Sequence, residues 1–330
     1  MNSMSSTAFS VVVPVYNKEP HIERAVRSVL EQTHTNFELI MIDDASTDGS
    51  MEAIAHIDDP RIVRAHRDIP GPGGYAARNL GTEMARSEWV AFLDADDAWN
   101  TEILTEFTRL MDTFPEARVL CTGFVYKKGS REIVNDFTAR RRGQPAGLVD
   151  LREYVRETRK GRCPIHTSCV CIRRDLLQEI GGFPAGRCRR GGDRDTWLRA
   201  ADRSPIAWSP YIGELYYCDS VNMVSKTVPE GEGCSLETLE GMIEAYSGVA
   251  ERCALIRELR LLKNDLLEIK IKKKAKEGHL HLSDLRAYSF RVSPFRYPVY
   301  VLLALLPDAL IRLLMGLFFL VKKRGAGNAG

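Results

Sequence analysis

Along the first hundred residues, short unbroken apolar runs alternate with stretches in which apolar residues recur every three or four positions. Ser10 to Pro14, Phe37 to Ile42, Arg61 to Arg64 and Trp89 to Leu93 are the runs, and each reads as a buried strand. Ile22, Val26, Val29 and Leu30 mark a helix after the first. Ile54 and Ile57 mark another, after a Ser46-Thr47-Asp48 cap signal. Strands alternating with helices predict an α/β fold built on a mostly parallel sheet. Ligands of such open sheets gather beyond the carboxyl ends of the strands. The candidate site residues are therefore Pro14 to Asn17, Asp43 with Asp44, and Asp94 to Asp97.

The fourth run ends in Asp94-Ala95-Asp96-Asp97, three carboxylates in four positions. Such crowding is costly without a cation. Hard oxygen ligands suit Mg²⁺ or Mn²⁺, and the metal could carry the phosphates of a nucleotide. The plainer reading is a strand followed by a helix starting near Thr101, with Asp97 or Asn100 as its cap.

Several motifs in register go further. Val13-Pro14-Val15-Tyr16-Asn17, Ile42-Asp43-Asp44-Ala45-Ser46-Thr47-Asp48, Ala77-Arg78-Asn79-Leu80-Gly81, Phe92-Leu93-Asp94-Ala95-Asp96-Asp97, Gly181-Gly182-Phe183 and Gly192-Asp193-Arg194-Asp195-Thr196-Trp197-Leu198 follow one another between Phe9 and Ser225. In order and spacing the chain resembles the family 2 glycosyltransferases. The resemblance implies a GT-A fold, a Rossmann-like nucleotide-binding mixed sheet flanked by helices, and inverting transfer of a sugar from a nucleoside diphosphate, typically UDP, to an acceptor hydroxyl. By position it puts Pro14, Tyr16 and Asn17 on the nucleotide-binding first loop. Asp44, or Asp43 in its place, would take the base edge, where a carboxylate can accept the imide N–H of uracil. Turn chemistry explains the same pair without a ligand.

The resemblance sets Arg78 and Asn79 beside the sugar and phosphates, after a Gly71-Pro72-Gly73-Gly74 loop that could equally be a simple connection. It sets Asp94 on the nucleoside and makes Asp96 the metal ligand. Asp193 is the candidate base, able to take the acceptor's proton from the opposite face of the sugar, unless it is only a helix cap. Asp195, two residues on, should point elsewhere. The glutamate usual before the base is missing, because Gly192 stands there. No Ser/His/Asp arrangement is evident, and His166 reads as structural or loop-exposed. The Gln-x-x-Arg-Trp signature of processive synthases is absent, which favours single-sugar transfer. A nucleotide-sugar binding protein without turnover is the alternative, while nucleotidyl transfer would call for a glycine-rich phosphate loop after the first strand.

The remaining features concern surroundings. A formal net charge of +2 over 330 residues gives no general case for nucleic-acid binding. The eight cysteines show no Cys-x-x-Cys spacing and read as buried thiols, neither a disulfide scaffold nor a zinc site, so a reducing cytoplasm is expected. The N-terminus has no secretory leader pattern. Composition divides the chain into a donor half, 1–124, an acceptor half, 125–228, and a helical region, 229–330, entered through a linker at 229–233. Arg140 to Gly147 reads as a mobile surface loop. A helix from Glu251 to Lys276 ends in lysines. Tyr297 to Val321 is strongly apolar but interrupted by Pro307-Asp308 and flanked by basic residues at both ends. That pattern predicts a helical pair lying on or re-entering a membrane, with Asp308 and Arg312 paired one turn apart. A tilted span or a helix buried in an oligomer are the alternatives. The enzyme would then sit on the inner face of the cell membrane and act on a glycan or lipid-linked acceptor.

Overall fold

The computed structural model describes residues 8–221 and 233–315, which fall into two compact units, Met1–Thr238 and Leu239–Gly330. In the first, β1 (Phe9–Val15), β2 (Phe37–Asp43), β3 (Ile62–His66) and β4 (Trp89–Phe92) lie close to the four predicted runs and pair in parallel. The helices α1 (Ile22–Leu30) and α2 (Tyr75–Met84) connect them. Unbroken burial of Val11 to Val13 and Leu39 to Ile42 matches a sheet covered on both faces. The sheet then turns mixed. Its order is β3-β2-β1-β4-β9-β6-β10-β5, with β5 at Ala98–Trp99, β6 at Val119–Lys128, β9 at Val170–Arg173 and β10 at Ile206–Tyr217. Antiparallel pairing of β9 with β4 and with β6 joins the two parallel parts. β7 (Arg131–Val134) and β8 (Gly147–Val149) pair at the margins. β6 runs through Phe124 without a break, so the residues on either side of the expected boundary at 124 share one sheet.

Several expectations are corrected. The helix expected around Ile54 is only a single turn, Glu52–Ile54. Asp48 accepts from Ser50 N at 3.1 Å, a local bond before that turn, and also from Glu19 N, while Ser46 and Ser50 accept from the backbone of Asn17 and Lys18, so this stretch holds the first loop as well. The helix α3 (Ile103–Thr113) has no side-chain cap, and Asn100 donates to the Ile212 carbonyl at 2.7 Å. The loop expected at Arg140 is partly the end of α4 (Asp136–Arg141), whose Arg141 pairs with Glu153 of α5 (Leu151–Arg159). Two further helices, α6 (Arg174–Glu179) and α7 (Gly192–Arg203), bracket the Gly181-Gly182 turn.

The clearest correction is covalent. Cys188 and Cys234 form a disulfide, so the expectation of unpaired thiols fails and takes with it the argument from thiols to a reducing cytoplasm. Spacing could not show this, because the partners are 46 residues apart and meet only through the fold. Cys121, Cys169 and Cys171 are buried thiols as expected.

α8 (Ser235–Tyr246) leads out of the first unit. The second is built on α9 (Cys253–Glu277) and α10 (Arg296–Ala304). Buried Glu268 on α9 accepts from Lys272, Tyr288 and Arg296, and Asn264 clasps the backbone of Ser289. α10 stops short of Pro307, and a helix resumes at 308–315, which gives the expected break. The expected pairing of Asp308 with Arg312 is not made. Asp308 faces His279 at 3.7 Å, and Arg312 lies against Gly278. Residues 316–321 of the apolar stretch and 229–232 of the linker lie outside the described residues.

Candidate active site

Three loops at the carboxyl ends of β1, β2 and β4 meet at the expected place. Asn17 follows β1 with φ 51° and Ala45 follows β2 with φ 61°, both in the left-handed region. An asparagine tolerates it because its short amide bonds locally. Here Asn17 Oδ1 accepts from Thr47 N at 2.7 Å, which latches the two loops together. Tyr16 between them is exposed, and Pro14 sits close to Gly74 of the glycine loop. Asp43 accepts from Ser46 N at 3.0 Å, the turn role the sequence left open. Asp44 is buried, pairs with Arg67 and accepts from Gly71 N at 3.0 Å, so an incoming base must compete with those donors.

The acids after β4 are each placed differently. Asp94 pairs with Arg78 of α2, which also donates to the Gly73 carbonyl at 2.8 Å. Burial would push the Asp94 carboxyl up, but Arg78 outweighs it and holds the group below the usual carboxylate range. Asp96 is bound by Lys18 Nζ at 2.7 Å, a contact the sequence did not suggest. Asp97 is buried and does not cap α3. It accepts from Ser168 Oγ at 2.8 Å and Tyr217 N at 3.0 Å. Burial, with Glu214 and Asp96 adding to it, raises its carboxyl well above the ordinary value.

Glu214 is the site residue missed altogether. It is fully buried on β10, a lone acid in an apolar strand, which was the available signal. Its carboxylate lies 2.6 Å from His166 Nδ1, yet neither oxygen receives a well-aligned hydrogen bond. Asp97, His166 and Glu214 bring ligand atoms within 4.8 Å of one another, a set able to hold a metal ion. Glu214 offers two oxygens without an aligned hydrogen bond beside the Asp97 carboxyl, and that pair suits a cation once His166 has given up its proton. Oxygen donors with one imidazole fit Mg²⁺ or, better, Mn²⁺.

Burial alone would lower the His166 pKa, but Glu214 overrides it and lifts the imidazole to about 10. A histidine that holds its proton more tightly when folded adds stability in full below about pH 6.5, its unfolded value, and loses it as pH climbs through about 10. Chemical denaturation at about pH 7 and about pH 10.5 should therefore show native stability falling more steeply in the wild type than in His166→Phe. Equal slopes would rule the pairing out.

Asp193 sits in the first turn of α7, exposed, with Gly191 rather than Asp193 at the cap position and no side-chain cap bond. Tyr75, at the start of α2, accepts from Gly192 N at 2.8 Å and so ties the glycine loop to the start of α7 beside Asp193. A Cβ on Gly192 would lie 2.7 Å from the Tyr75 ring and from Pro184, which is why no glutamate fits there. Burial and then the Asp193 charge raise Tyr75 to about 12, and Asp193 also acts on Arg78. Asp195 points away as expected, fully buried against Arg199 at 2.8 Å. The Asn79 amide donates to Phe183 O at 2.9 Å and accepts from Phe183 N at 2.8 Å, bracing the Gly181-Gly182-Phe183 turn. The Cys188–Cys234 disulfide anchors the same loop five residues before Asp193.

The sequence profile of glycosyl transferase family 2 matches residues 10–181, more than half of the chain. The chain belongs to glycosyl transferase family 2. Among its relatives, an uncharacterized glycosyltransferase of Rickettsia conorii is 32% identical over 204 residues, 62% of this chain and 32% of that protein. The succinoglycan biosynthesis protein ExoW of Rhizobium meliloti is 32% identical over 182 residues, 52% of this chain and 56% of ExoW. The match thus spans about a third to somewhat over half of these relatives. In structure, Staphylococcus aureus TarS 1–349 in complex with UDP-GlcNAc superposes with a TM-score of 0.71 at 18% identity, covering 94% of this chain and 89% of that one. At that identity the likeness speaks for the GT-A-like fold. The matched region covers the loops after β1, β2 and β4, whereas Asp193 lies twelve residues past it and rests on its own motif.

Proposed function

We propose that this chain is an inverting, non-processive glycosyltransferase. It moves a sugar from a nucleoside diphosphate, UDP in the first instance, to a hydroxyl of a glycan or lipid-linked acceptor in cell-surface polysaccharide biosynthesis. The observation that carries this reading is the convergence of the Asp94–Asp97 acids with Arg78, itself under the influence of Asp193. Support for the donor comes from TarS, a protein of the same fold that binds UDP-GlcNAc, and support for the setting from ExoW, named for succinoglycan biosynthesis.

Asp96, with Asp94 beside it, would hold a divalent cation, whose Lewis acidity offsets the charge of the departing diphosphate. Arg78 adds a fixed positive charge beneath Asp94. Lys18, which pairs with Asp96, would be a further donor for phosphate oxygens if a cation were held there. Asp193 takes the proton of the acceptor hydroxyl as that oxygen attacks the anomeric carbon, and the bond to the diphosphate breaks on the opposite side. One displacement inverts the centre, with no covalent sugar on the protein.

Isothermal titration with UDP-sugars, with and without Mn²⁺, followed by product analysis for each binder, tests the proposal. One UDP-sugar is expected to bind more tightly with the metal and to be slowly hydrolysed in the absence of acceptor. If no nucleotide-sugar binds in either condition, the proposal fails.

A further inference from the structure

The second unit turns apolar side chains outward to a degree seen nowhere else among the described residues. Of sixteen large apolar side chains that are exposed, nine lie between Leu282 and Leu314. Phe295, Val299, Leu302 and Leu305 follow helical spacing along α10, and Phe295 is 89% exposed, Leu302 65% and Leu305 62%. Leu310, Leu313 and Leu314 continue the pattern on the helix at 308–315. The inner faces are apolar as well, with Tyr300, Ile311 and Met315 buried. Apart from Arg296, Asp308 and Arg312, both helices carry apolar residues on their inner and outer sides, a pattern of a core or of lipid, and the outer side is exposed among the described residues.

Charge selects between possible occupants. From Lys270 to Arg312 the sequence has nine Lys and Arg against three Asp and Glu, an excess of six positive charges (9 − 3). Asp265, Glu268 and Asp284 pair with Arg296, Lys272 and Lys274, while Arg286 and Arg291 stand exposed on either side of Phe290. Two copies of this face would repel one another, whereas an anionic sheet would attract it. No helix among the described residues is long and apolar enough to cross a membrane, and Pro307 separates α10 from the helix that follows. We propose that the exposed apolar face of residues 295–314, with its basic surroundings, seats in the headgroup region of an anionic phospholipid bilayer, the two helices lying along the surface.

The proposal does not depend on the transfer reaction, and its test needs no donor. The full chain would be floated with vesicles of phosphatidylcholine containing about a third phosphatidylglycerol, and with vesicles of phosphatidylcholine alone. Binding to the anionic vesicles is expected, weakened by high salt and roughly tenfold or more weaker on neutral vesicles. The triple variant Leu302→Glu, Leu305→Glu, Leu313→Glu should lose at least about tenfold in vesicle affinity, because each change removes apolar burial and adds repulsion. The circular dichroism spectrum and the thermal unfolding midpoint of that variant should match those of the wild type, which separates lost docking from lost folding. If the wild type fails to float with anionic vesicles, the proposal is overturned. A dimer in light scattering that the triple variant dissociates, with no vesicle binding, would assign the face to a second copy instead.

Discussion

Asp193→Asn is expected to lower kcat for sugar transfer by about 10²–10⁴-fold, the usual contribution of a positioned general base. The amide keeps the size of the side chain but cannot accept the proton that the acceptor hydroxyl must lose. Donor affinity should change little, since the base acts on the acceptor. Stability should also change little, because Asp193 is exposed and makes no cap bond. Asp195→Asn provides the contrast. Asp195 is fully buried against Arg199 and is hydrogen-bonded by Thr238, so its loss should appear first as a fall of about 1–3 kcal/mol in stability. Steady-state kinetics with donor titration on both variants decides the matter. If Asp193→Asn transfers at the wild-type rate, the base is another group and the direction of acceptor approach must be redrawn.

Asp96→Ala should weaken metal-dependent donor binding by at least about 10–100-fold, the loss expected even from groups one step removed from a metal. Binding without metal should be nearly unchanged. The reason lies in the exchange at this carboxylate. In the structure Lys18 Nζ supplies the positive charge at 2.7 Å, and a divalent ion carrying the diphosphate must displace it. Titration of UDP with and without Mn²⁺ measures the effect. The structure also sets a specific competitor, because Asp97, His166 and Glu214 can gather around an ion of their own. If Asp96→Ala leaves metal-dependent binding intact while His166→Ala removes it, the working cation belongs to that buried set and Asp96 serves only to hold Lys18.

Much of the donor side was legible because local chemistry dictates it. Unbroken apolar runs have to be strands covered on both faces, and β1, β2, β3 and β4 follow them closely. Pro307 had to end a helix, and it does. Residue identity fixed Asp193 and Asp195 on different sides of α7, because two positions of a helix lie far apart around its axis. What went wrong went wrong for one reason. Near neighbours in sequence suggest Asp97 as a helix cap and Asp308 as the partner of Arg312, whereas the partners in the fold, Ser168 with Tyr217 and His279, are 29 to 120 residues away. Lys18 and Glu214 were passed over because a lysine in a loop and a glutamate in a strand are ordinary until their surroundings are known.

The sequence by itself determined the strand and helix pattern, the family, the carboxylates at the end of β4 and the apolar character of the C-terminal helices, since each depends on the kinds of residue present and on short spacings. The tertiary structure decided which charges meet, with Lys18 on Asp96, Arg78 under Asp94 and His166 on Glu214, and which cysteines join. It also decided that Tyr75 fills the space of the missing glutamate and that the apolar stripe of α10 faces outward. Those outcomes depend on distances across the fold, and the energy of a charge or an apolar surface is set by what the folded chain brings up against it.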